Sequence, residues 1–153
     1  RGGRFLGQDQ VIKFGQKLDF LTHMRDYFRA DRPHKAIPVG DLNIAPREDD
    51  VWNHKALLKI VSHTPVEVAH LADTQAAGKW VDVTRQDIPD GPLFSWWSYR
   101  AADWDGADKG RRLDHVWATP DISAAAHGSR ILRAARGWDQ PSDHVPVLAT
   151  FDL

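Results

Sequence analysis

Apolar side chains recur at Phe14, Leu18, Leu21, Met24 and Phe28, the four-and-three spacing of one face of an amphipathic helix, which predicts a helix over 11–29. A helix apolar on one face needs a second layer to cover it, and the later apolar runs are strand-like. They lie at 36–39, 80–83, 93–99, 113–118 and 145–151, bounded by turn residues. Pro38 cannot donate to a sheet ladder, which places it at a strand end, edge or bulge. Thr64-Pro65-Val66-Glu67 predicts a second helix, with a capping hydroxyl, proline at the first helical position and a glutamate placed to close a capping box, ending at Gly78. A helical turn near 121–126 and a strand near 130–132 follow, whereas 42–63 is irregular and 101–110 reads as a Gly/Asp-rich loop. Helices and strands alternate without repeats, which predicts a layered α/β sandwich; 153 residues make one domain or part of one.

Composition removes several function classes. The chain has no cysteine, so neither a disulfide framework nor a thiolate zinc site is available to it. No apolar run approaches the ~18 residues of a membrane span, and Arg1-Gly2-Gly3-Arg4 lacks the hydrophobic region of a signal peptide. Twenty basic residues against 21 acidic ones leave a net charge of −1, so an anionic partner must be held by a local patch.

Three polar clusters stand at predicted strand ends: Gly40-Asp41-Leu42-Asn43, Arg112-Leu113-Asp114-His115 and Ser142-Asp143-His144. Asp41 and Asn43, one residue apart, either offer a carboxylate and an amide oxygen to one point or form an Asx turn leaving the strand. Asp143 and His144 point opposite ways in extended backbone, so one faces a metal while the other meets a substrate, or both belong to an ordinary loop. Asp114 sits in an apolar strand and needs a partner, either Arg112 or a histidine. Lys109, Arg111 and Arg112 form one basic run and Arg130, Arg133 and Arg136 another, each a phosphate contact or a solvated face.

In series, Gly40-Asp41-Leu42-Asn43-Ile44-Ala45-Pro46, Phe94-Ser95-Trp96-Trp97-Ser98-Tyr99-Arg100, Gly110-Arg111-Arg112-Leu113-Asp114 and Pro141-Ser142-Asp143-His144-Val145-Pro146-Val147 resemble the exonuclease III and AP endonuclease branch of the endonuclease/exonuclease/phosphatase family. The match runs from Lys13 to Phe151 and covers that family's second half. The resemblance implies the C-terminal half to two-thirds of a four-layer α/β sandwich. It implies a partner half elsewhere or self-association to cover the exposed sheet face. The activity implied is that of a cytoplasmic, bacterial-type, magnesium- or manganese-dependent hydrolase of DNA phosphodiesters acting at abasic sites or 3′ ends.

By the same resemblance, Asp41 orients or deprotonates the attacking water, Asn43 stabilises the pentavalent phosphate, and Asp114 orients His144. Asp143 joins Asp41, Asn43 and His144 around the metal. Trp96 and Leu113 match positions lining a pocket for a sugar without a base, and Lys109, Arg111 and Arg112 are the accompanying DNA contacts; Arg111 stands where that pocket is typically apolar. The alternatives are another phosphodiesterase or phosphatase of the superfamily acting on a small molecule or lipid, and a catalytically silent module that binds DNA or protein.

Overall fold

The periodic stretch forms one helix, α1 (Gln8–Ala30), in the computed structural model, which describes residues 7–153. Its predicted face is the covered one: Leu21 is buried and Phe14, Leu18, Met24 and Phe28 are partly so, while Phe20 and Tyr27 are exposed. The chain continues through β1 (Val39–Asp41), a 3₁₀ turn at Glu48–Asp50, α2 (His54–Leu57) and α3 (Pro65–Ala77). The capping box of α3 is formed as the sequence predicts, with Thr64 and Glu67 exchanging hydrogen bonds. Glu67 is fully buried, and it also accepts the Ser62 N–H at 2.8 Å and pairs with Lys17 of α1 at 2.5 Å. The cap therefore clamps two helices as well as starting one.

Next come β2 (Val81–Asp82), α4 (Val83–Asp87), β3 (Trp96–Trp97), α5 (Trp104–Ala107), β4 (Gly110–Arg111) and β5 (Asp114–Ala118). The chain closes with α6 (Pro120–Ser123), β6 (Ala126–Ile131), a 3₁₀ turn at Arg133–Gly137 and β7 (Val147–Phe151). Strand β5 is central in an antiparallel sheet of order β1-β5-β2, and β3-β4 and β6-β7 form two-stranded ladders. Pro38 lies just before β1, as expected, its carbonyl accepting the Trp117 N–H at 2.9 Å.

Side chains alternate across a strand, so β5 serves two cores. Trp117 joins Leu21, Ile44, Leu71 and Trp80 under the helices α1 and α3. Val116 and Ala118 join Val83, Ile122 and Ala126 on the other side, against Val147, Ala149 and Phe151 of β7. The result is a helical layer, a sheet and a strand-hairpin layer, the layered α/β architecture predicted from the alternation of elements.

Three one-turn helices were not predicted; α2, within the stretch read as irregular, starts where the Asn53 side chain accepts the Ala56 N–H at 3.1 Å. Asp82 ends β2 by accepting the Arg85 N–H at 3.2 Å and so turns the expected strand 80–83 into α4. Asp103 does the same for α5 inside the expected loop, accepting the Gly106 N–H at 3.0 Å. Each is too short to show a helical period.

Arg112, expected from its basic neighbours to contact phosphate, is instead fully buried. Its guanidinium donates to both Asp50 oxygens at 2.7 and 3.0 Å and to both Asp82 oxygens at 3.2 and 2.9 Å. Arg85 adds a second cation to Asp50 at 2.7 Å. Two guanidinium groups among these carboxylates remove the need for solvent, and the network ties the 3₁₀ turn, β2 and the start of β5 together.

His115 sits beside this network, buried, donating from Nε2 to the Ile44 carbonyl at 2.8 Å while Arg112 lies 3.5 Å from Nδ1. Burial, reinforced by the Arg112 charge, pushes its pKa from 6.5 down to about 4. The ring is neutral in the fold and takes a proton on unfolding below pH ~6.5, so its contribution is complete above that value and is lost as pH falls toward 4. The full loss is about 3 kcal/mol. Urea denaturation at pH 7.5 and 4.5 is expected to show this decline in the parent and a smaller one in His115→Gln. Equal declines would assign the acid sensitivity to other groups.

Candidate active site

The first cluster is built by β1 and the turn after it. Gly40 has φ +144°, a backbone conformation that side-chain-bearing residues rarely adopt, and it delivers Asp41 to the end of the strand. Asp41 Oδ1 accepts the Asn43 N–H at 2.8 Å, and Asn43 has φ +52°. This is the Asx turn that the spacing allows, and it leaves the Asp41 carboxylate half-exposed. Lys17 reaches across from α1 to donate to the Asn43 carbonyl at 3.0 Å.

Register brings in the second cluster, because Asp41 on β1 lies directly opposite Asp114 on β5. The partner that Asp114 needs is a histidine, not Arg112: His144 Nδ1 donates to Asp114 Oδ2 at 2.8 Å. Ser95 Oγ donates to the same oxygen at 2.7 Å while accepting the Leu113 and Asp114 N–H groups at 2.9 and 3.1 Å. Ser95 is fully buried and was not singled out from the sequence; its one signal is a lone hydroxyl inside an aromatic run.

The third cluster is held against β3. Trp96 pairs with His144, Trp97 N–H donates to the Asp143 carbonyl at 3.0 Å, and Val145 N–H donates to the Ser95 carbonyl at 2.8 Å. His144 Nε2 then lies 3.6 Å from Asp41 Oδ2, so Asp41, Asp114 and His144 offer ligand atoms within 4.8 Å of one another. Burial disfavours a charged His144 ring, but the hydrogen bond to Asp114 and the charges of Asp114, Asp41 and Asp143 outweigh it and hold its pKa above the ordinary histidine value. The arrangement is an imidazole between two carboxylates, open on the Asp41 side.

Hard divalent ions prefer carboxylate and carbonyl oxygens, often one or two carboxylates with water and phosphate completing the shell. Asp41 fits that description through its half-exposed carboxylate. Asp143 fits it too: Oδ2 accepts the Trp96 Nε1–H at 3.0 Å, while Oδ1 has no hydrogen-bond partner among the described residues. His144, expected to serve as a metal donor as well, has Nδ1 committed to Asp114, which leaves Nε2, 3.6 Å from Asp41, as its remaining nitrogen.

Beside this site runs an open cleft of about 520 Å³ lined by Trp52, Trp96, Arg100, Lys109 and Arg111. Lys109 stands 4.8 Å over the Trp52 ring, and the Arg111 guanidinium lies 5.1 Å from the Trp96 ring. Arg111 Nη1 also donates to the Val61 carbonyl and Ser62 Oγ at 3.1 and 2.8 Å, so its charge is largely held within the fold. Leu113, expected in a sugar pocket, is buried with Ala45, Val51 and Leu57. Of the expected DNA contacts, Trp96, Lys109 and Arg111 line the cleft and Arg112 and Leu113 lie inside the protein; Trp52 and Arg100 are cleft residues that sequence reading missed. In the second basic run Arg130 is exposed, and its two neighbours are engaged. Arg133 pairs with Asp105 and Asp108, and Arg136 is buried against Tyr99 and Trp104.

Residues 9–144 match the model of the endonuclease/exonuclease/phosphatase family. Exodeoxyribonuclease III of Haemophilus influenzae is 26% identical over 147 residues, a match covering 91% of this chain and 55% of that protein. Among solved structures, an AP endonuclease from Archaeoglobus fulgidus superposes with a TM-score of 0.87 at 26% identity, covering 92% of this chain and 55% of that one. The 3′ phosphatase NExo from Neisseria, solved with a product DNA hairpin, does so with a TM-score of 0.85 at 29% identity, covering 92% and 55%. The chain spans about half the length of the curated relatives it matches. The sandwich fold expected from the sequence is the one it shares with these structures.

Proposed function

Because the chain belongs to the endonuclease/exonuclease/phosphatase family, on its exonuclease III and AP endonuclease branch, we propose that it carries the catalytic half of a DNA-repair phosphodiester hydrolase. The observation that supports this most is the Asp114–His144–Asp41 arrangement, two opposed carboxylates with an imidazole between them. The proposed substrate is duplex DNA with abasic sites or 3′ ends, and the remainder of the family fold completes the site. The relatives named above act on DNA or were solved with it, and the Trp52, Trp96 and Lys109 cleft beside the triad suits an aromatic and cationic contact with a nucleic acid.

Hydrolysis of a phosphodiester needs an aligned water, a base and positive charge against the negative charge that develops on phosphorus oxygens. Asp41 accepts the hydrogen bond of the attacking water and then its proton. His144 donates from Nε2 toward the phosphoryl oxygens, with Asp114 fixing its ring and balancing its charge. Asn43 contributes its side-chain amide to the same oxygens. Asp41, Asn43 and Asp143 would hold a divalent ion, magnesium by the hardness of these donors or manganese in its place, and such an ion polarises a phosphoryl oxygen.

Protein that includes the remainder of the family fold is expected to cleave a duplex carrying an abasic analogue in magnesium, to stop when a chelator is added, and to ignore a small aryl phosphodiester at equal concentration. Preference for the small ester would move the assignment to another phosphodiesterase of the superfamily; binding of the duplex without cleavage would leave a silent module.

A further inference from the structure

On the far side of the Asn43 turn, two histidines meet that the reaction does not use. His54 opens α2, a single turn fixed by Asn53, whose side chain accepts the Ala56 N–H at 3.1 Å. His63 immediately precedes the Thr64 cap of α3 and is buried. His54 Nδ1 lies 2.7 Å from His63 Nε2, with the rings edge to face at 80°.

Each ring's other nitrogen has an acceptor beside it. His63 Nδ1 stands 2.7 Å from the Ala45 carbonyl, which can only accept, so that nitrogen carries hydrogen. His54 Nε2 faces the Glu48 carboxylate at 3.4 Å, again a group that accepts. With its hydrogen on Nδ1, His54 donates to the His63 Nε2 lone pair; with its hydrogen on Nε2, toward the exposed Glu48 carboxylate, both inner nitrogens turn lone pairs to one point, where a metal ion can join them. A carbonyl behind one imidazole and a carboxylate behind the other is the outer shell that metal-bound histidines ordinarily have, since it fixes the tautomer and aims the free lone pair.

We propose that His54 Nδ1 and His63 Nε2 bind a divalent transition ion of the zinc class. Zinc–nitrogen bonds of ~2.0–2.1 Å set tetrahedral ligand nitrogens about 3.3 Å apart, so the pair must open by roughly half an ångström. His54 is placed to make that movement, being partly exposed on a one-turn helix. A cleft of about 340 Å³ lined by Glu48, His54, Leu58, His63 and Val68 opens on the pair and admits the waters that complete the shell. Imidazole suits zinc, nickel and copper and does not suit magnesium, so this site and the carboxylates at Asp41 and Asp143 select different ions. Ala45 lies two residues beyond Asn43, so an ion here would brace the back of the turn that carries the active-site residues.

The test is calorimetric titration of untagged protein with zinc in the presence of excess magnesium, with imidazole ¹⁵N spectra recorded alongside. The expected result is one zinc per chain, shifts of the His54 and His63 ring nitrogens, and at least a tenfold loss of affinity in His54→Gln, a surface change whose folding is checked by its thermal melt. Asp41→Asn is expected to keep the zinc affinity of the parent, which separates this site from the catalytic one. Absence of zinc binding, equal affinity in parent and His54→Gln, or loss in Asp41→Asn alone would each overturn the proposal.

Discussion

Replacing Asp114 with asparagine is expected to lower the turnover number for phosphodiester cleavage about 10²-fold while KM changes by less than about twofold. The expectation follows from what the carboxylate does. Its Oδ2 accepts hydrogen bonds from His144 Nδ1 and Ser95 Oγ, at 2.8 and 2.7 Å, and it supplies a negative charge that favours the imidazolium form. Asparagine keeps an acceptor oxygen, so the ring stays roughly oriented, but the counter-charge is gone and the cation facing the phosphate is less populated. Acid–base and electrostatic groups of this kind are worth about 10² to 10⁴ in rate, and retaining the hydrogen bond places this change at the lower end. KM is spared because Asp114 is placed behind the histidine, away from the cleft proposed to hold the substrate. Steady-state kinetics on duplex carrying an abasic analogue measure both quantities. A rise in KM at constant turnover would show that Asp114 acts in binding.

The largest loss of stability is expected from Arg112→Met, about 3–5 kcal/mol in urea denaturation. Removing the guanidinium leaves Asp50, fully buried, with Arg85 as its remaining cation, and it strips Asp82 of its bidentate partner. A buried carboxylate that loses a partner costs more than the pair contributed, because its desolvation is less fully offset. The contrast is Arg133→Ala, which breaks the more exposed pairs with Asp105 and Asp108 and is expected to cost at most about 1 kcal/mol. A loss under 1 kcal/mol in Arg112→Met would mean that water reaches Asp50 and that the network is not closed.

What the sequence carries plainly is what short-range chemistry specifies. The α1 face and the α3 capping box depend on residues within a few positions of one another, and both formed as expected. The polar clusters also stand out locally, since Asp41, Asp114 and His144 interrupt or end apolar runs. Their meeting is another matter, because it depends on the β1–β5 register and on the Trp96–His144 pairing, and neither is written in any single segment. The same limit explains the error over Arg112. Its acidic partners Asp50 and Asp82 sit in an apparent loop and an apparent strand, so the residue reads as one more surface cation beside Lys109 and Arg111. His54 and His63 are silent for a similar reason, since only the return of the chain from α2 to α3 places their rings together.

The most direct test of the account is a double-mutant cycle on turnover with Asp114→Asn, His144→Gln and the double variant, assayed on the abasic duplex in magnesium. If the carboxylate works through the imidazole, the double variant turns over no more slowly than His144→Gln alone, because the second change removes support from a group already lost. If the two losses multiply, or if Asp114→Asn retains the parent's turnover, the pair does not act as a unit and the proposed mechanism is wrong.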